Sequence, residues 1–258
     1  MYVGDPTAPP EPAAPFAGDP DHHAIYAVDV DEGAGPLSQA ELDCLWESGV
    51  RHLVVQTELE VLARQQLQLA FLRGLTLDVT VPLSFWAEPR AQVREGLRRV
   101  EGLSIGRVWL VVRSPPPAGT NHNVWLARLG EALDECARAG QGGCGLFTDE
   151  EFWGTFALGS ERFGDVPLWY ARHDGVRLLW AWENDQFGGW VQAAGKQWGQ
   201  GELCSVPAGF DTLQRLASQS LQVDRSPAPL PAGLPPAPTG LWPTDGARLP
   251  LAALKLMV

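Results

Sequence analysis

The sequence lacks any concentration of basic side chains. Among its 258 residues, 31 Asp and Glu outnumber 19 Lys and Arg, which gives a formal net charge of −12. Proteins that bind DNA or RNA neutralise several phosphates with clustered Lys and Arg. We therefore expect no nucleic-acid partner.

Long hydrophobic runs are also missing. No window approaches the roughly 18 uninterrupted apolar residues of a membrane-spanning helix. The N-terminal residues, MYVGDPTAPPEP, lack the basic start and apolar run of a secretory signal. We expect a soluble chain with no membrane span, located in the cytoplasm or exported by a route without a signal peptide.

The four cysteines, Cys44, Cys136, Cys144 and Cys204, form no CxxC pair. Zinc sites commonly take their thiolates from such pairs, so we expect no metal, and no motif indicates a cofactor. Cys136 and Cys144 flank a Gly-rich segment and can come close in space. Buried free thiols are the commoner state in a chain without a signal peptide, so the sequence favours free thiols and leaves this one disulfide open.

Proline marks the domain boundaries. Of 22 prolines, six lie in residues 1–20 and eight in residues 226–250, which leaves eight for the long middle. Segments so rich in proline adopt extended conformations that do not pack a core. We predict a flexible segment 1–23, one folded domain 24–224, and a Pro-rich tail 225–258 whose apolar end, LPLAALKLMV, docks on a partner protein.

Within the predicted domain, short apolar runs alternate with stretches of helical spacing. The predicted strands are AIYAVDV, RHLVVQ, LTLDVTVPLSF, GRVWLVVR and GCGLFT. Ser38 and Glu41 form a capping box before the first helix. Continuous apolar strands are typical of a parallel sheet covered on both faces, so the pattern predicts an α/β barrel or a doubly wound sheet. After residue 160, VPLWYARH, RLLWAWEN, GGWVQAAGKQWG and AGFDTLQRL are predicted as closing strands joined by loops.

The order of these segments resembles that of glycoside hydrolase family 25 lysozymes. YAVDVDE resembles the opening strand of that family, RHLVVQTELE the second and LFTDEEFW the fifth. PLWYARH, FGGWVQAAGKQWG and AGFDTL match the last three strands in sequence order. The resemblance spans residues 24 to about 216 and implies a TIM-like (β/α)5β3 barrel with Pro-rich flanking segments.

The resemblance also implies an activity. The family cleaves the glycosidic bond between the amino sugars of peptidoglycan, and its fourth strand ends in Asp-x-Glu, with the Glu as general acid. Glycoside hydrolysis needs such a proton donor and usually a second carboxylate. In the matching strand these two positions hold Val111 and Arg113. Arginine stays protonated and is a poor proton donor, so we predict that catalysis is lost.

Two family acids keep matching positions, Asp29 and Asp211, while Gln56 replaces the usual basic residue of the second strand. Asp29 and Asp211 either retain a sugar-binding role or form an ion pair with Arg113 across the barrel mouth. The predicted ligand-binding residues are Asp29, Gln56, Arg113, Trp169 and Asp211. The tryptophans near strand ends, which either stack on sugar rings or pack in the core, are Trp86, Trp109, Trp153, Trp169 and Trp198.

Three functions follow as hypotheses. The favoured one is a catalytically degenerate lysozyme-like domain that binds peptidoglycan or another amino-sugar glycan, or that serves as a scaffold. In the second, the chain is an active muramidase whose acids have moved to other positions. In the third, it is a structural subunit anchored through its C-terminal tail. The candidates for displaced acids are Glu58, Glu60, Asp149, Glu150 and Glu151.

Overall fold

Eight strands close a barrel at the centre of the computed structural model. The structure describes four stretches of the chain, residues 24–30, 37–57, 60–138 and 143–214. The predicted segments 1–23 and 225–258, with the apolar end of the tail, lie outside these residues.

The strands follow the predicted order. They are β1 (Ala24–Val30), β2 (His52–Gln56), β3 (Thr76–Pro82), β4 (Val108–Val111), β5 (Cys144–Thr148), β6 (Leu168–Ala171), β7 (Gly195–Leu203) and β8 (Val206–Gln214). Strands β1 to β7 are parallel, and β8 closes the barrel antiparallel to both β7 and β1. The (β/α)5β3 barrel is confirmed, and the doubly wound alternative is excluded.

Five helices follow the first five strands: α1 (Gln39–Glu47), α2 (Glu60–Leu72), α3 (Pro89–Arg99), α4 (His122–Arg138) and α5 (Glu150–Phe156). The capping box is present, because Ser38 Oγ accepts from the Glu41 amide at 3.2 Å and the Glu41 carboxylate accepts from the Ser38 amide at 2.6 Å. One predicted strand is wrong: RLLWAWEN contains a 3-10 helix, Leu179–Asn184. Since β6 pairs directly with β7, the barrel has no place for a strand there.

Two apolar layers stabilise the barrel. One lies between the strands and the helices, and the other lies in the interior of the barrel. The inner layer includes Trp109 and Trp169, whose ring centroids lie 5.6 Å apart. Gly145 makes room for Trp109, because a Cβ at Gly145 would collide with that indole. The two indoles therefore pack against each other in the interior of the barrel.

All four cysteines are bonded, so the expectation of free thiols is wrong. Cys136, near the end of α4, bonds Cys144 at the start of β5. Cys44 of α1 bonds Cys204 in the turn between β7 and β8, at a sequence separation of 160. The fold brings α1 beside this turn because β8 returns to pair with β1, which a local sequence pattern does not reveal. Among the described residues, no helix is long and apolar enough to cross a membrane.

Candidate functional site

The carboxyl ends of the parallel strands surround a cavity of about 260 Å³, here called the mouth cavity. Its walls include Asp29 of β1, Gln56 of β2, Thr80 of β3, Gln197 of β7, and Arg113 just after β4. Side chains that follow parallel strands converge at this end, which is where barrel enzymes hold their active sites. The structure therefore brings together three predicted site residues, Asp29, Gln56 and Arg113.

The mouth cavity is lined by polar atoms that the protein leaves without partners. Gln56 Oε1 and Thr80 Oγ1 are buried and make no hydrogen bond to other described residues. Thr80 as a whole is only 2% exposed. Buried polar atoms nearly always have a partner, so these two indicate a position for a hydrogen-bonding ligand or for water.

Gln197 is held at both ends of its amide. Its Nε2 donates to Asp29 Oδ2 at 3.3 Å, and its Oε1 accepts from His173 Nε2 at 2.9 Å. A Cβ at Gly209 would collide with the Gln197 amide nitrogen, so a larger residue there would displace the Gln197 side chain. Sequence reasoning missed both Gln197 and His173, since their pairing depends on the parallel register of β6 and β7.

Asp211 lies below the mouth cavity and is fully buried. Its Oδ1 accepts from Trp169 Nε1 at 3.1 Å. Burial, and then the neighbouring charge of Asp29, raise the pKa of Asp211 well above its ordinary range. Asp211 therefore keeps its proton at pH values where an exposed aspartate has lost it.

We expect Asp211→Asn to raise the free energy of unfolding at neutral pH by about 1 kcal/mol or more, since it removes the cost of keeping a carboxyl group protonated in the folded chain that is ionised in the unfolded chain. The pKa of Asp211 is higher in the folded chain than in the unfolded chain. The parent therefore loses stability as the pH rises from the unfolded-state pKa through the folded-state pKa. Asparagine stays neutral and its oxygen still accepts from Trp169. Urea unfolding at acidic and neutral pH measures the difference, with the exposed Asp134→Asn as control. A gain that is equal at both pH values would contradict the raised pKa.

Arg113 pairs with Asp149 and not with Asp29 or Asp211, so the predicted ion pair across the mouth is wrong. Arg113 Nε lies 3.1 Å from Asp149 Oδ2. Asp149 is also the N-cap of α5, where its Oδ1 accepts from the Phe152 amide at 2.7 Å. The partner differs because Asp149 directly follows β5, the neighbour of β4, whereas Asp29 and Asp211 stand on strands across the barrel.

The three candidates for displaced acids whose side chains the structure describes do not line the mouth cavity. Asp149, Glu150 and Glu151 line a separate depression of about 340 Å³, which touches the mouth cavity at Arg113. Glu58 and the side chain of Glu60 lie outside the described residues. Asp29 is thus the one carboxylate among the described residues that line the mouth cavity.

The tryptophans divide into core and surface residues. Trp109, Trp153 and Trp169 are buried, and Trp198 is half-buried with its ring 5.4 Å from that of Phe210. Trp169 does not line the mouth cavity and donates to Asp211, so the structure shows it as a core residue, and its contact with ligand stays a prediction. Trp86 alone of the five is largely exposed, at 74%. Among the described residues, no group of three or more His, Cys, Asp and Glu is arranged to hold a metal.

The eight-stranded barrel with polar residues at its carboxyl end defines a glycosidase-like domain of the lysozyme type. The chain belongs to the family described as Lysozyme-like protein 1, whose sequence model matches residues 20–198. No curated protein matches the chain in sequence. The predicted resemblance to family 25 lysozymes is confirmed by this family and by the fold.

Solved structures with the same fold share little sequence with the chain. A family GH25 lysozyme from Aspergillus fumigatus superposes with a TM-score of 0.64 at 14% identity, over 78% of this chain and 98% of that one. A lysozyme from Streptomyces coelicolor gives 0.61 at 11%, over 79% and 97%. The autolysin LytC from Streptococcus pneumoniae, solved in complex with a synthetic peptidoglycan ligand, gives 0.55 at 14%, over 74% and 46%. At these identities the likeness establishes the fold alone.

Proposed function

We propose that the domain binds an amino-sugar glycan of the peptidoglycan type in the mouth cavity and does not hydrolyse it. The observation that carries the proposal is the pair of buried, unpartnered atoms, Gln56 Oε1 and Thr80 Oγ1. Leaving such an atom without a hydrogen bond costs about 1 to 3 kcal/mol. The hydroxyl and acetamido groups of an amino sugar supply the missing partners, and the ligand bound by LytC supports this choice.

Among the described residues that line the mouth cavity, Asp29 is the one carboxylate, which supports binding without cleavage. Both glycosidase mechanisms place carboxyl groups on two sides of the scissile bond. By the sequence resemblance, Val111 and Arg113 of the mouth cavity replace the acid pair of the family. The Asp149 carboxylate forms an ion pair with Arg113 and accepts a hydrogen bond from the Phe152 amide at the start of α5. The described residues that line the mouth cavity therefore offer no second carboxyl group to protonate the leaving oxygen.

Thr80→Val tests the proposal because it removes one hydroxyl and keeps the side-chain shape. We expect the parent to bind oligomers of alternating N-acetylglucosamine and N-acetylmuramic acid in calorimetry, and the variant to bind about tenfold more weakly. Its stability should not fall, because the lost hydroxyl has no protein partner. The matched control is Thr155→Val, at an exposed position of α5.

Two results would contradict the proposal. If the parent shows no heat of binding with any of these oligomers, the mouth cavity is not a glycan site. If the parent releases reducing sugar from peptidoglycan, the domain is an active muramidase, and single Asp149→Asn, Glu150→Gln and Glu151→Gln variants would then locate its acid.

A further inference from the structure

Trp86 is exposed at the end of the barrel that holds the mouth cavity. It lies between β3 and α3, a few residues after Thr80, which lines that cavity. Its residue surface is 74% exposed, whereas Trp125 on the adjacent α4 is fully buried. The indole is a large apolar group, and leaving it in water forgoes the free energy of its burial.

The backbone on both sides of Trp86 is fixed by one side chain. Arg128 of α4 donates from one terminal nitrogen to the Phe85 carbonyl at 2.8 Å and from the other to the Ala87 carbonyl at 2.6 Å. Phe85 itself is buried, with its ring 5.1 Å from that of Trp125. The exposed indole thus belongs to a turn whose backbone is held by hydrogen bonds on both sides of Trp86.

Gln92 of α3 holds the same turn by two further hydrogen bonds. Gln92 accepts from the Ser84 amide at 2.8 Å and donates to the Ser84 carbonyl at 2.7 Å. Glu88 then caps α3 by accepting from the Arg90 and Ala91 amides. Because the turn is so constrained, binding a ligand on the indole costs little additional ordering of the protein.

We infer that Trp86 is a stacking platform for a pyranose ring, which extends the glycan site beyond the mouth cavity along the end of β3. A pyranose has one face of C–H groups that fits a flat aromatic ring, while its hydroxyls stay in water. The chain beside Trp86 carries the polar or charged residues Ser84, Glu88 and Arg90, so we interpret the indole as a single aromatic face and not as part of the broad apolar patch of a protein interface. Arg128 acts as a positioning residue for this platform.

This inference rests on the proposed function, and oligomer length separates the two. We expect a disaccharide to occupy the mouth cavity alone and a hexasaccharide to extend also to Trp86. We expect Trp86→Ala to weaken binding of the hexasaccharide about tenfold and to leave disaccharide binding unchanged. Trp86→Tyr should restore most of the loss, since tyrosine keeps an aromatic face. Leu72→Ala on α2, also strongly exposed at 81%, is the matched control.

The Arg128→Met variant tests whether Arg128 positions the Trp86 indole for binding. It removes both carbonyl contacts while keeping an apolar side chain, and we expect a smaller loss of affinity that is again confined to the hexasaccharide. Equal losses for both oligomers, or no loss with Trp86→Ala, would overturn the inference and leave the proposed function standing. If the parent binds neither oligomer, the proposed function fails and the platform fails with it.

Discussion

The double substitution Val111→Asp with Arg113→Glu is expected to give the protein measurable hydrolysis of peptidoglycan. We expect the release of reducing ends to rise about 100-fold above the background release seen with the parent. The sequence resemblance predicts that these two positions match the Asp-x-Glu pair at the end of the fourth strand in family 25 lysozymes. Both residues line the mouth cavity beside Asp29. The substitution therefore adds two carboxyl groups where the proposed glycan lies.

The surroundings of Arg113 favour a proton donor there. Asp149 Oδ2 lies 3.1 Å from Arg113 Nε. A glutamate in place of the arginine would face this carboxylate and, at its other side, the ring of Phe147, over which the Arg113 guanidinium now lies at 5.7 Å. A nearby like charge and partial burial both raise the pKa of a carboxyl group, which keeps it protonated near neutral pH.

Release of reducing ends from purified peptidoglycan measures the gain. The single variants should each stay near the parent rate, because hydrolysis needs both groups. Arg138→Glu, which also reverses an exposed arginine in an ion pair, controls for the charge reversal at Arg113. If the double variant folds and binds glycan but releases no sugar, the missing acids are not what prevents hydrolysis.

The barrel could be predicted from the sequence because its signals are local and repeated. Each βα unit shows an apolar run followed by helical spacing, and the capping box of Ser38 and Glu41 fixes one helix start. RLLWAWEN was wrongly predicted because its apolar residues suit a strand as well as a short buried helix. There, tertiary packing decides: Trp182 is buried with its ring 4.9 Å from that of Tyr170.

The site could be predicted only in part, because side-chain partners depend on distant pairing. Asp29, Gln56 and Arg113 were predicted from the positions they share with the strands of family 25 lysozymes, and the structure brings all three to the mouth cavity. The contact of Gln197 with His173 requires the register of two strands, and the ion pair of Arg113 with Asp149 requires knowing which strands are adjacent. The backbone on both sides of Trp86 is held by Arg128, which lies far along the chain.

Removing the disulfide between Cys44 and Cys204 is expected to lower the free energy of unfolding by about 5 kcal/mol, the largest stability change that we predict. Their sequence separation is 160, and a crosslink across so long a loop removes many conformations from the unfolded chain. The disulfide between Cys136 and Cys144 has a separation of 8, so its removal should cost only about 2 kcal/mol.

Urea unfolding of Cys44→Ser/Cys204→Ser and Cys136→Ser/Cys144→Ser variants, without reductant, compares the two disulfides in one protein. The parent treated with reductant should match a variant that lacks all four cysteines. The longer crosslink also joins α1 to the turn before β8, the strand that closes the barrel against β1. If the Cys136 pair proves equally costly to remove, loop length does not govern the stabilisation, and native contacts near each disulfide must account for it.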